Sequence, residues 1–203
     1  AARDAGVERV VYSGSSSAYG NSEELPNRPD MQANPMNPYA LQKYNSELLF
    51  KQFSDIYGLE TVVLRYFNVY GPGMADSGSY VTVISVFARP RKAGELLTIH
   101  GDGEQSRDFT YVSDAVDANV RAMTSDRVGH GEILNVGSGN NYTVNYIASA
   151  FGGPTILKEG RSAEARHTRA DVSKTKELLD WEPNVSFENG LRETIKWFGL
   201  EPS

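Results

Sequence analysis

Short apolar runs rich in β-branched residues alternate along this chain with longer stretches whose apolar positions recur every three or four residues. That alternation predicts an α/β layer architecture. RVVYS (9–13) reads as a strand, and TVVLRYF (61–67) as another that runs into the Gly/Pro loop at 71–73. Between them, residues 37–58 carry the marks of a complete helix: Asn37 as N-cap, Pro38 at the first helical position and Gly58 beyond the last turn. Leu41, Tyr44, Leu48, Leu49 and Ile56 recur there at helical spacing and predict a buried stripe. Further on, VSDAVDANVRAM (112–123) predicts a helix capped by Ser113, EILNVGSG (132–139) a strand and turn, and TVNYIASAFGG (143–153) another helix. Two amphipathic helices, separated by Pro183, close the chain. No internal repeat or low-complexity tract is present.

The first residues break the pattern. AARDAG reads as a helix end and is followed at once by a buried-type strand, so the chain is expected to enter partway through a βαβ unit.

Composition narrows the function classes. With 203 residues, 39% of them apolar, the chain can bury a sizeable core. A net charge of −6 opposes a broad nucleic-acid or anionic-membrane surface, which needs clustered Lys and Arg. An anionic small ligand would need a local arginine site instead. There is no cysteine, so disulfides and thiolate metal sites are excluded, and His100, His130 and His167 lack ligand spacing. No apolar run approaches the ~20 residues that span a bilayer, and AARDAGVERV lacks the apolar core of a signal peptide. A cytoplasmic protein is expected.

Tyr39 and Lys43 stand four apart and project from one helix face. Such a pair arises readily by chance and reads equally well as an exposed helix pair. Its setting changes its weight: SGSSSAYG (13–20) precedes it, NPYALQKYNSE (37–47) contains it and LRYFNVYGPG (64–73) follows. Together with LLTIHGDGEQSRDFTYVSDAV (96–116), LNVGSG (134–139) and RHTRADVSKTKELLDWEP (166–183), these segments resemble the extended short-chain dehydrogenase/reductase family, in its UDP-glucose 4-epimerase-like branch. The resemblance runs over essentially the whole chain.

The resemblance implies an α/β fold: the C-terminal part of a Rossmann-like doubly wound parallel sheet plus a small α/β substrate-binding domain. Residues 1–72 would be the remaining NAD-binding part and 73–203 mainly the nucleotide-sugar-binding part, with about 108–140 returning to the first. It places catalytic roles on Ser15, Tyr39 and Lys43, which would also touch NAD together with Tyr66 and Phe67. Chemically, oxidation of a sugar carbinol needs a base for the hydroxyl proton, and a phenol with pKa ~10 is a poor one near neutrality unless a neighbouring ammonium favours its anion. For the substrate, the resemblance implies Asn68, Arg107 and Arg161 near the diphosphate, Thr98, Ile99 and His100 along the uracil, Glu164 at the ribose, Thr168 beside the sugar, and Tyr80. An Arg fork suits phosphate geometry.

Three departures sharpen this reading. Related 4,6-dehydratases carry Asp-Glu where this chain has Ser16 and Ser17, which argues against dehydration and for 4-epimerisation. The family's Arg-Pro-Gly-Asp reads RSAE at 161–164. No GxxGxxG turn follows a first strand, so the expectation is an N-terminally truncated chain with an open sheet edge and an incomplete NAD cradle. Three alternatives stay open: a non-catalytic remnant that binds a nucleotide sugar or a partner, a UDP-glucuronate epimerase, or an epimerase of UDP-N-acetylhexosamines. The family's habit also implies a homodimer through the Tyr39 helix.

Overall fold

The computed structural model describes residues 1–75, 78, 82–160 and 164–203. After a 3-10 turn at Arg3–Ala5, the strands are β1 (Arg9–Ser15), β2 (Glu60–Tyr66), β3 (Val69–Tyr70), β4 (Leu97–His100), β5 (Ser106–Arg107), β6 (Thr110–Tyr111), β7 (His130–Val136), β8 (Tyr142–Thr143) and β9 (Thr155–Lys158). The helices are α1 (Pro38–Tyr57), α2 (Val83–Ala93), α3 (Val112–Thr124), α4 (Val144–Phe151), α5 (Ser173–Leu179) and α6 (Phe187–Trp197).

β1, β2 and β7 form a parallel sheet in that order, with β2 in the middle. A central parallel strand is covered on both faces, which is why β2 reads as a continuous apolar run and why Val62, Val63 and Leu64 are fully buried. Removing each such side chain from water contributes about 1.5–3 kcal/mol. Among the described residues β1 pairs only with β2, leaving its other edge open. On one face Ala118 and Ala122 of α3 and Leu179 and Trp181 at the end of α5 pack on Val62, Leu64 and Leu134. A second core gathers Phe87, Phe109, Phe151, Phe187 and Ile195 around Tyr70. It holds together α2, α4, α6 and the small pairs β4–β9, parallel, and β5–β8, antiparallel.

α1 forms as its ends dictate. The Asn37 side-chain oxygen accepts the Ala40 amide at 2.9 Å, and Gly58, left-handed at φ 66°, donates its N–H to Ser54. The facing of the helix, however, corrects the sequence reading. Leu41, Leu48, Leu49 and Ile56 are 47–66% exposed, whereas Ala40 and Glu47 are buried. α1 lies on β1, β2 and β7 through its small and polar stripe, because a close approach to the sheet admits Ala40, and Glu47 has a buried cation to meet. A second correction concerns α3. It starts at Val112, with Tyr111 at the cap position, so Ser113 lies inside the helix and makes no capping bond.

Candidate active site

A cavity of about 600 Å³ opens where the carboxyl ends of β1 and β2 meet the first turn of α1, with β4, β5 and residues 164–168 forming its far wall. Ligands of open α/β sheets bind outside the carboxyl ends of parallel strands, since that is where the following loops diverge.

Ser15 ends β1. Its Oγ accepts from the Ser17 amide at 3.2 Å and from the Ser17 hydroxyl at 2.8 Å, which caps the 3-10 turn Ser16–Tyr19 and holds the serine cluster on the cavity wall. Tyr39 reaches the cavity from the opening turn of α1 and keeps 37% of its surface exposed. One turn on, Lys43 Nζ donates to the Ser13 carbonyl at 2.9 Å and lies 5.9 Å from the centre of the Tyr39 ring and 5.3 Å from that of Tyr12. Tyr12 is itself stacked on Phe50 at 4.7 Å. The ammonium is thus anchored to β1 and faces two aromatic rings, a setting that attracts a cation. Ser15, Tyr39 and Lys43 all line the cavity.

Tyr66 also lines it, but its hydroxyl donates to Asn119 at 2.8 Å and burial pushes the phenol above its ordinary range, so it stays neutral. Ser13, Gly14 and Tyr66 form a floor at the ends of two adjacent parallel strands, which suits the nicotinamide end of a dinucleotide. Ser13, Tyr66 and Lys43 are therefore the residues that would hold that end.

On the far wall, Thr98 and His100 face the cavity while Ile99 turns into the phenylalanine core, since successive strand residues point to opposite sides. Ile99 is therefore not on the cavity wall. Neither is Phe67, which is fully buried against Tyr19 and Ala170. Asn68, with φ 32°, lines the cavity and donates to the Asp108 carbonyl at 2.7 Å. Arg107 is held by the carbonyls of Ser106 (3.0 Å) and Arg166 (3.2 Å), and its Nη2 lies 3.6 Å from Glu164 Oε2. Burial lowers its guanidinium from the ordinary arginine value, Glu164 opposes that and Arg166 adds to it. A partly desolvated cation at a cavity wall is a seat for phosphate. Glu164 and Thr168 complete this side. Tyr80 and Arg161 lie outside the described residues.

Among the wall residues that escaped the sequence reading, two carry a buried polar atom. Thr82 and Gln105 line the cavity, Gln105 Nε2 donates to the His100 carbonyl at 2.7 Å, and Gln105 Oε1 and Thr82 Oγ1 are buried with no hydrogen-bond partner among the described residues. The signal available was position only: Gln105 stands two residues before Arg107, just ahead of β5. Among the described residues no helix is long and apolar enough to cross a membrane.

Comparison with known proteins identifies the family and fold. Residues 1–137 match the family described as NAD dependent epimerase/dehydratase. A UDP-glucose 4-epimerase of Mycolicibacterium smegmatis is 35% identical over 98% of this chain and 64% of its own length. A UDP-glucuronate 4-epimerase of Thermodesulfobacterium geofontis is 34% identical over 96% of this chain and 60% of its own. The crystal structure of UDP-glucose 4-epimerase from Thermotoga maritima with UDP-glucose superposes with a TM-score of 0.90 at 35% identity, covering 98% of this chain and 65% of that one. The chain thus spans 60–65% of the length of these relatives, and the parallel sheet is Rossmann-like.

Proposed function

The chain belongs to the NAD dependent epimerase/dehydratase family, and we propose that the protein it represents is a nucleotide-sugar 4-epimerase of the UDP-glucose/UDP-galactose type, an isomerase. The observation that carries the reading is the meeting of Ser15, Tyr39 and Lys43 with Arg107 on the walls of one cavity.

In this reading Arg107 holds the diphosphate of the sugar nucleotide and Asn68 supports it. Thr98 and His100 border the base, Glu164 the ribose and Thr168 the sugar. When bound, NAD supplies a reversible hydride acceptor for sugar C4. Tyr39 takes the C4 hydroxyl proton as the C–H electron pair leaves, so that the carbinol becomes a ketone. Lys43 sits within one helical turn of that phenol, its Nζ 5.9 Å from the ring centre, and sets a positive charge beside it. Ser15 donates to the same sugar oxygen and relays the proton. Once the keto sugar has turned, Tyr39 gives the proton back to the C4 oxygen, and hydride supplied to the opposite face of C4 would complete the inversion. No acid beyond Tyr39 is required, which suits a wall bearing Ser16 and Ser17 where water elimination would need carboxyl groups.

A coupled assay with UDP-galactose and added NAD⁺, run beside calorimetric titration of UDP and NAD⁺, tests the reading. Interconversion that vanishes in Tyr39→Phe supports it. UDP binding without NAD⁺ binding or turnover favours a catalytically silent nucleotide-sugar binder instead. The M. smegmatis and T. geofontis relatives differ in sugar by name, so relative rates on UDP-glucose, UDP-glucuronate and UDP-N-acetylglucosamine decide the substrate.

A further inference from the structure

Asp108 follows Arg107 in sequence, yet its side chain points the other way, into the protein, and is wholly buried. Its carboxylate accepts four hydrogen bonds. Oδ1 takes the Ser138 amide at 2.7 Å and the Ser138 hydroxyl at 2.8 Å, and Oδ2 takes the Gly139 amide at 3.0 Å and the Ala170 amide at 2.9 Å. Burial raises the carboxyl to about 6 even though these donors oppose it.

The four donors come from two distant segments: the turn that leaves β7, and the strand-like run 168–170. The backbone of Asp108 ties down two more groups, since its N–H donates to Thr168 Oγ1 at 3.3 Å and its carbonyl accepts Asn68 Nδ2 at 2.7 Å. Asn68, Arg107 and Thr168, three residues of the cavity wall, are therefore bonded to Asp108 or adjacent to it. The join is tight: a Cβ on Gly137 would lie 2.5 Å from the Ala170 Cβ and 3.0 Å from Asp108 Oδ2. The adjoining segment repeats the link, because the Thr168 amide donates to Ser106 and Ser106 Oγ lies 2.8 Å from His167 Nδ1.

We infer that Asp108 is a positioning residue for anion recognition, a buried carboxylate that clamps the β7 exit turn to the 168–170 run and so holds the Arg107 guanidinium where a sugar-nucleotide diphosphate requires it. The inference deepens the nucleotide-sugar reading and rests on it for the identity of the anion. Asp108 touches no ligand and acts through Arg107.

The test is a double-mutant cycle on the 203-residue chain, with UDP as the calorimetric probe. Asp108→Asn places an amide group against backbone N–H donors and is expected to weaken UDP binding on the order of tenfold or more, as losing hydrogen bonds to a charge does. Arg107→Ala should weaken it comparably. If Asp108 works through Arg107, the double variant binds UDP no worse than Arg107→Ala alone, whereas independent effects multiply. Multiplying effects, or an unchanged affinity in Asp108→Asn, overturn the inference. Should Asp108→Asn fail to fold, Ser138→Ala, which removes one donor and leaves the carboxylate, takes its place with an expected weakening of about two- to threefold. Should the unaltered chain bind no UDP, the nucleotide-sugar reading fails. The positioning claim is then decided by the Arg107 Nε–Hε NMR resonance, which must shift in the Asp108 or Ser138 variant and overturns the inference if it does not.

Discussion

Glu47 of α1 and Arg65 of β2 form a bidentate ion pair in the interior: Arg65 Nη2 and Nε donate to Glu47 Oε2 at 2.6 and 3.0 Å, and the two side chains are 0% and 2% exposed. The Arg65 guanidinium also lies 4.7 Å from the centre of the Tyr19 ring, and Tyr19 donates to Asn135 at 2.6 Å. One turn beyond Lys43, this pair fixes the height of α1 over the sheet and touches the turn that begins at Ser15. Breaking a buried pair from one side strands a charge and costs about 3–5 kcal/mol, whereas replacing both partners by apolar groups is often neutral. Glu47→Gln should therefore lower the thermal midpoint by roughly 10 °C. Glu47→Leu with Arg65→Met should recover most of that loss, as thermal melts of the two variants will show.

Tyr39 and Lys43 are expected to separate chemistry from binding. Tyr39→Phe keeps the ring and removes the hydroxyl, so kcat should fall about 10²–10⁴-fold while UDP affinity stays within about twofold. Lys43→Met should lower kcat and also loosen the start of α1, since the bond from Nζ to the Ser13 carbonyl goes with it. Initial-rate kinetics and UDP titration of both variants check the split.

Asp102 and Arg166 bridge the β4–β5 turn to residues 164–168, with oxygen–nitrogen distances of 2.8 and 2.7 Å, and the Arg166 amide also donates to Asn21 at 2.7 Å. The hydrogen bond from Arg166 holds the Asp102 carboxyl down to about 2 against an ordinary 3.8. A depressed carboxyl favours the folded state above its unfolded pKa and loses that contribution only as pH falls through the folded value. The bridge should thus persist at pH ~4 and fail between there and about 2. A ¹³C NMR titration of the Asp102 carboxyl checks this, with the midpoint returning towards 3.8 in Arg166→Ala.

The apolar face that α1 turns outward carries Leu48, Leu49, Phe53, Ile56 and Tyr57, each 39–66% exposed. An exposed stripe of this kind is suited to association, and the homodimer expected from the family resemblance would cover it. Sedimentation at micromolar concentration should show a dimer that Leu49→Arg with Ile56→Arg converts to monomer. A wild-type monomer at those concentrations rejects the pairing.

How far the sequence carries the argument differs from element to element. Periodicity and end signals are local properties, and so α1 runs from Pro38 to Tyr57 between Asn37 and Gly58 as they require, while the middle strand reads as the apolar run it is. Motif resemblance brought Ser15, Tyr39, Lys43 and Arg107 forward from three separate segments, and they share one cavity. The outward face of α1 was not legible, because an apolar stripe reports that a face wants cover and not whether sheet or partner supplies it. Ile99 and Phe67 show the same limit at single residues: each adjoins wall residues in sequence but turns into the core. By itself the sequence determined the α/β class, the ends of α1 and the set of residue types that can abstract a proton and hold a diphosphate. Only the tertiary structure decided which of them face one space and that Asp108 stands behind them, since a buried carboxylate is recognised by donors 30 and 62 residues away that no local pattern records.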